Sequence, residues 1–299
     1  VGGTEIKYSV MDEQMHRTDS GAVPTPQDTQ AQFLDAVYRL YAPHKDEVSG
    51  IAMALPGFVD NRTGYVSNGG ALLYNTATPV GQLLAEKCGC PVILENDGKA
   101  AAMAELANGA LKDCCNAAVF IIGTGVGGGI IANGQLVRGV HFTAGEYSFV
   151  NTNAEAWDAP DQNMACQCST SNLLKWYRAR KALPEDAPLD GRSFFAAANA
   201  GEPEALEVLQ RFCHAVAVQI YNLTVLLDVE KVAIGGGISK QPLLLESLRS
   251  AYNGLYASRA GQAYMEGLPR CQIVPCAFSS EANQVGVAAA YFEAMQKKR

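Results

Sequence analysis

The densest group of residues that could do chemistry is a glycine cluster in the middle of the chain. Five glycines and one threonine lie within the seven residues from Gly123 to Gly129. Such a backbone can approach a ligand closely and present its N–H groups, most often to phosphate. The alternative is a glycine-rich turn that binds nothing.

The spacing of Gly123, Gly125 and Gly128 also fits the dinucleotide fingerprint of nicotinamide-dependent dehydrogenases. That fingerprint requires a helix directly after the glycines. Here the glycines lead into Asn133-Gly134 between apolar residues, which predicts a two-residue hairpin. We therefore predict strand, turn, strand and hairpin, and this order counts against a dehydrogenase.

Two further glycine clusters lie near the start of the chain and near residue 235. Gly2-Gly3-Thr4 precedes an alternating strand, and the unit resembles the central cluster about 120 residues later, which suggests a duplicated architecture. Because no strand precedes Gly2, we expect the sequence to start inside its first strand. Gly235-Gly236-Gly237 follows a buried strand, and Gly69-Gly70 is another place where backbone could approach a ligand.

Acidic and amide side chains follow the apolar run that ends at Leu94. Glu95, Asn96 and Asp97 stand between that predicted strand and a helix that begins near Lys99. Open α/β sheets place ligand groups at this position, although Asn96 or Asp97 could simply cap the helix. At a helix N-terminus, Asp97 is expected to stay ionised, which lowers its basicity.

The elements that position these residues alternate between helix and strand. Thr25-Pro26 predicts the start of a helix, and the apolar pattern of residues 204–227 predicts a long helix suited to a core or an interface. A chain of 299 residues with 48% hydrophobic residues has room for two domains.

Charge and composition exclude several classes of function. The net charge is −7, and apart from Lys297-Lys298-Arg299 the basic residues are scattered, so no nucleic-acid surface is expected. No apolar run approaches the about 20 residues that span a membrane. We expect a cytoplasmic protein with reduced thiols that acts on a small solute.

In order along the chain, these motifs resemble those of the ROK family, which groups bacterial repressors, open reading frames and sugar kinases. The likeness rests on seven motifs: Gly2 to Thr4, Leu55 to Gly57, Glu95 to Asp97, Gly123 to Gly125, Ala144 to Glu146, Gly235 to Gly237 and the small-residue C-terminal helix. It implies an α/β fold, a duplicated ribonuclease-H-like (actin-like ATPase) architecture with two domains around a cleft. Residues 1–115, joined by the C-terminal helix 282–299, would form the first domain, and residues 116–281 the second.

The resemblance also implies an ATP-dependent sugar kinase that uses Mg²⁺ and forms a homodimer. Asp97 would be the general base for the 6-hydroxyl of a hexose or β-glucoside, and Asn96, Glu146 and Gly70 would bind the sugar with it. The ATP-binding residues would be Gly2, Gly3, Thr4, Gly123, Thr124, Gly125, Gly235, Gly236 and Gly237.

One part of the family pattern is missing. The family's zinc site takes one histidine and three cysteines. Here Phe149 stands at the histidine position, Cys166 and Cys168 are present, and the third cysteine position falls near Leu173. The position of a sugar-binding glutamate of the family falls near Lys175. We therefore expect no bound metal there. The chain most resembles the β-glucoside kinases of the family. A glucokinase, an N-acetylmannosamine kinase and a non-catalytic sugar-sensing regulator are the alternatives.

Overall fold

The computed structural model describes residues 1–259, 261–279 and 281–296. Lys297, Lys298 and Arg299, which end the predicted C-terminal helix and form the predicted basic cluster, lie outside the described residues. The chain is a mixed α/β protein with two compact units. Unit 1 contains residues 1–108, 136–144 and 281–296, and unit 2 contains residues 109–135 and 145–279. The predicted limit at about residue 115 stays a prediction.

The strands of unit 1 form three two-stranded sheets. An antiparallel pair comes first in the chain. A parallel pair supplies the site residues, and a short antiparallel pair lies in sequence between its two strands. In chain order the strands are β1 (Glu5–Met11), β2 (Arg17–Pro24), β3 (Ile51–Leu55), β4 (Phe58–Asp60), β5 (Tyr65–Asn68) and β6 (Val92–Asn96).

The described residues of unit 1 include the α-helices α1 (Gln30–Tyr41), α2 (Val80–Cys88), α3 (Asp97–Asn108) and α9 (Ala282–Gln296). Helices α3 and α9 pack closely because their contact surface is made of small residues. A Cβ at Gly286 would meet the carbonyl oxygen of Ala100 and lie 3.1 Å from the backbone nitrogen of Ala104. The small-residue C-terminal helix therefore fixes α3, the helix that begins at Asp97.

The first helix begins later than predicted. Thr25 and Pro26 do not start it, because the Thr25 N–H donates to the Thr4 carbonyl and its hydroxyl donates to the Gly2 carbonyl. Thr29 caps α1 instead, and its side chain accepts from the Gln32 N–H. Residues 17–24, for which no strand was predicted, form β2.

Unit 2 is built around one sheet with the strand order β11-β10-β7-β8-β9. Strands β10 and β11 run parallel to β7, and β8 runs antiparallel to it. The boundary of unit 2 falls inside β9. The strands are β7 (Ala117–Ile122), β8 (Val126–Ala132), β9 (Gln135–Val137), β10 (Lys231–Gly235) and β11 (Gln272–Pro275).

Helices cover the core of unit 2, in which Phe120, Phe194 and Phe212 are almost completely buried. They are α4 (Met164–Gln167), α5 (Thr170–Arg180), α6 (Gly191–Asn199), α7 (Pro203–Leu227) and α8 (Pro242–Ala257). The long predicted helix is confirmed as α7. Among the described residues, none of the helices is long and apolar enough to cross a bilayer.

Candidate functional site

The carboxyl ends of β3 and β6 bring two predicted site motifs together in unit 1. The strands are parallel, and Leu55 is in register with Asn96. The Asn96 side chain donates to the carbonyl oxygen of Gly57 (2.9 Å) and accepts from the Lys99 N–H (3.0 Å). Asn96 therefore joins the end of one strand to the loop after the other and to the start of α3.

Gly70 lies at the same strand ends because two glycine turns pack backbone against backbone. Gly57 has φ +91°, and a Cβ there would lie 2.7 Å from the Gly70 nitrogen. Gly70 itself has φ +55°, and its N–H donates to the Asn68 side chain. The structure thus assembles Gly70 and Asn96, with Asp97 next in the chain.

Asp97 begins α3, and one of its carboxylate oxygens accepts the N–H of Gly98 (2.8 Å). Burial raises the pKa of Asp97, and the hydrogen bond from Gly98 offsets part of that effect. The expectation that the helix N-terminus lowers the basicity of this carboxylate is therefore wrong in direction. Desolvation outweighs the helix terminus, and the group is a stronger base than an exposed aspartate.

Glu95, the first residue of the same motif, makes a buried ion pair. It is 1% exposed, and one oxygen accepts from Nε of Arg138 at 2.8 Å. The other oxygen accepts the N–H of Asn96 at 3.0 Å. Sequence reasoning gave neither residue a role, since no local pattern links two positions this far apart in the chain.

In unit 2 the second and third glycine clusters meet at one edge of the sheet. Strands β7 and β10 are parallel, with Ile121 in register with Gly235, so the turns after both strands lie side by side. Within the described residues, the N–H groups of Thr124 and Gly125 donate to no other protein group. Two adjacent N–H groups at a strand end are suited to bind an anion.

The glycines of these clusters have two different functions. Gly128 (φ +147°) and Gly236 (φ +98°) are needed for packing, because a Cβ would overlap the carbonyl oxygens of Val119 and Ile122. Gly123 and Gly237 have ordinary φ angles, and a Cβ on either would meet no protein atom within 4 Å. These two glycines face open space.

The hairpin after the central turn is confirmed. Asn133 (φ 53°) and Gly134 (φ +70°) connect β8 to β9 with the positive φ angles of a two-residue turn. Strand β8 follows Gly125 directly where the dinucleotide fingerprint needs a helix. These glycines therefore do not form the dinucleotide fingerprint on which the dehydrogenase alternative depends.

The remaining predicted site residues lie on two other turns. Gly2, Gly3 and Thr4 form the turn before β1 in unit 1, where the Gly3 carbonyl accepts from Gln27. Glu146 belongs to unit 2 and precedes a short 3₁₀ turn. Its neighbour Tyr147 is buried, with its hydroxyl donating to the Gly129 carbonyl (3.2 Å), which anchors the backbone beside Glu146.

Two positions of the family zinc site hold side chains that cannot ligate a metal. Leu173 is fully buried in the core of unit 2, while Phe149 is 70% exposed. Burial raises the pKa of the Cys168 thiol to about 12, which disfavours the thiolate that zinc requires. Among the described residues, no three His, Cys, Asp or Glu side chains are grouped as a metal site.

Unit 1 also contains a cavity of about 440 Å³. It is lined by the edges of β1 and β3, including Lys7, Ser9 and Ala52, and by Asn283 and Tyr291 of α9. Neither Asn96 nor Asp97 lines it.

Comparison with known proteins decides the family. The ROK family model matches residues 1–296. The chain belongs to the ROK family.

Similar proteins cover most of the chain. A beta-glucoside kinase of Listeria innocua is 30% identical over 83% of this chain and 84% of its own length. A glucokinase of Halalkalibacterium halodurans is 30% identical over 80% of this chain and 79% of its own length. The crystal structure of a ROK family protein from Streptococcus pneumoniae in complex with sucrose superposes with a TM-score of 0.86 at 28% identity, covering 99% of this chain and 97% of that one.

Proposed function

We propose that the protein is an ATP-dependent kinase that phosphorylates the 6-hydroxyl of a β-glucoside or a related hexose. The single observation that carries this proposal is the pair Asn96-Asp97 at the ends of β3 and β6, in a chain that belongs to the ROK family. A partly buried carboxylate with a raised pKa suits proton abstraction from a sugar hydroxyl.

Asp97 is the proposed general base, and Asn96, Glu146 and Gly70 are proposed to bind the sugar with it. As the hydroxyl oxygen bonds to the γ-phosphorus, its proton passes to the Asp97 carboxylate, and the bond to the ADP oxygen breaks. The loose transition state of phosphoryl transfer requires mainly positioning and charge neutralisation. Asp97 therefore needs only to accept the proton and to orient the oxygen.

The glycine clusters are proposed to bind ATP. The unpartnered N–H groups of Thr124 and Gly125 fit phosphate oxygens, and the open backbone of Gly123 lets them approach. Gly2, Gly3 and Thr4 are proposed to bind phosphate as well, and Gly235, Gly236 and Gly237 to line the nucleoside. Mg²⁺ would neutralise charge on the phosphates when bound.

The finer features of fold and assembly are proposed on the same basis. They are a duplicated ribonuclease-H-like (actin-like ATPase) fold, domains at residues 1–115 and 116–281 with the last helix in the first, a cytoplasmic location, and a homodimer. Exposed Val225 and Leu226 near the end of α7 would suit a dimer contact.

A β-glucoside is favoured over a free hexose as the acceptor. The beta-glucoside kinase of Listeria innocua is a relative at 30% identity, and the Streptococcus pneumoniae protein at 28% identity binds a disaccharide. The loss of the zinc ligands at Phe149 and Leu173 further separates this chain from typical family glucokinases. The glucokinase relative makes glucose the main competing acceptor.

The test measures ADP release with ATP and Mg²⁺ against cellobiose, gentiobiose, aryl β-glucosides, glucose, N-acetylmannosamine and fructose. Asp97→Asn should abolish turnover while the protein remains folded. Asp35→Asn is the control, because Asp35 pairs with Lys87 at the surface of the same unit and should leave activity unchanged. Retained turnover in Asp97→Asn would show that Asp97 is not the general base. Absence of ADP release by the wild-type protein with every sugar would overturn the kinase proposal.

A further inference from the structure

The carboxylate of Glu95 is buried, so it is neither hydrated by solvent nor part of the charged surface. Glu95 is in register with Ala54, so its side chain leaves β6 on the face that Ala54 shares with Ala100 of α3 and Val287 of α9. Placing an ionised carboxylate in such surroundings is costly unless it is paired and hydrogen-bonded. The structure supplies both kinds of partner.

The two oxygens of Glu95 have different partners. Oε1 accepts the backbone N–H of Asn96, and Oε2 accepts Nε of Arg138. Asn96 in turn donates to the Gly57 carbonyl and accepts from the Lys99 N–H. A continuous series of hydrogen bonds therefore runs from Arg138 through Glu95 to the backbone that carries Asn96 and Asp97.

Arg138 belongs to a stretch that we name the returning segment, Leu136–Ala144. The chain on both sides of it belongs to unit 2, but the segment itself clusters with unit 1. Its backbone turns back on itself, since the Ala144 N–H donates to the Arg138 carbonyl. The guanidinium of Arg62 lies 4.9 Å from the ring centre of Phe142, which provides a second attachment.

The returning segment leads directly to another proposed sugar ligand. Gly145 and Glu146 follow Ala144 in the chain. The Glu95–Arg138 pair thus fixes the residue before Asn96 and, at the same time, the segment that leads to Glu146. Arg138 also donates to the Met103 sulfur on α3, so the arginine is held by the helix that begins at Asp97.

We propose that Glu95 and Arg138 are positioning residues for the sugar. They touch neither substrate, and they hold Asn96, Asp97 and the returning segment in place within unit 1. This inference rests on the proposed kinase function. It predicts that the loss of either residue weakens sugar use and leaves nucleotide binding unaffected.

The experiment compares Glu95→Gln, Arg138→Met and the double variant with wild type, and Asp35→Asn is the ion-pair control. We expect the KM for the sugar to rise about tenfold or more in each single variant, with the KM for ATP unchanged, because small displacements of binding groups are costly. In the double variant, removal of both charges should restore the melting temperature. Its sugar KM should stay raised, since the returning segment still lacks the ion pair between Arg138 and Glu95.

Two results would overturn the proposal. The first is a double variant whose sugar KM returns to the wild-type value together with its stability, because that is the behaviour of a purely structural pair. The second is unchanged amide hydrogen exchange over residues 96–99 and 137–144 in folded single variants. Exchange does not depend on catalysis, so it tests the pair even if the wild-type protein phosphorylates none of the sugars and the proposed function fails.

Discussion

Replacing Gly123 with alanine should separate ligand binding from stability. Gly123 has an ordinary φ angle, and a Cβ there would meet no protein atom within 4 Å. The unfolded chain loses some freedom in the variant, so its stability should stay the same or rise by about 0.4–1 kcal/mol. The new methyl group would occupy the space beside the free N–H groups of Thr124 and Gly125.

The expected loss of nucleotide affinity follows from one displaced hydrogen bond. A hydrogen bond to a charged group contributes about 1.5–3 kcal/mol, which corresponds to a weakening of about 10- to 150-fold. Titration calorimetry with ATP or ADP and Mg²⁺ measures it, and thermal unfolding measures stability. The variant should bind nucleotide poorly but unfold at the wild-type temperature or above.

Gly254→Ala is the matched control. Gly254 lies within α8, and a Cβ there would also meet nothing within 4 Å, so helix propensity should stabilise that variant by about 0.5–1 kcal/mol. Its nucleotide affinity should equal that of wild type. A Gly123→Ala protein that binds nucleotide within threefold of wild type would refute the assignment of this turn to phosphate.

Two further predictions concern Asp97 and the packing of α9. Because burial raises the pKa of Asp97, kcat/KM for the sugar should fall on the acid side with a midpoint above the ordinary value of about 3.9. Between the unfolded and the folded pKa of Asp97, the folded protein binds a proton that the unfolded chain does not. Stability should therefore decrease as pH rises from the unfolded to the folded pKa, and melting curves of Asp97→Asn should lack this decrease. Gly286→Ala should cost about 1–3 kcal/mol in chemical denaturation, because its Cβ overlaps the backbone of Ala100; a loss below about 0.5 kcal/mol would contradict the close packing of α3 and α9.

Local sequence was sufficient for features that depend on a few adjacent residues. Asn133-Gly134 predicts its hairpin because both residues tolerate positive φ, and the structure has φ 53° and +70° there. The position of Asn96 and Asp97 between a strand and a helix was likewise predictable from the apolar run before them. The start of α1 was not predictable, since Thr25 is a good capping residue but its N–H and hydroxyl donate to the carbonyls of Thr4 and Gly2 instead.

Other features depend on contacts between distant parts of the chain. Position in the chain places Asp97 at a helix N-terminus and predicts a low pKa, but the tertiary packing buries the carboxylate and reverses the direction. The partner of Glu95 lies 43 residues further along the chain, in a segment that returns to unit 1. No periodicity or motif connects the two positions.

The glycine clusters show why sequence motifs identify a site more readily than they assign its residues. Gly123 and Gly128 belong to one cluster, and both match the same fingerprint. Gly128 is required because its Cβ would overlap the carbonyl of Val119 across the sheet, whereas Gly123 has no neighbour within 4 Å. Close packing explains the first glycine, whereas no protein contact requires glycine at the second, which leaves room for a ligand there. The same reasoning separates Gly236, which packs on Ile122, from Gly237, and it identifies Gly123 and Gly237 as the positions where a methyl group should impair nucleotide binding without unfolding the protein.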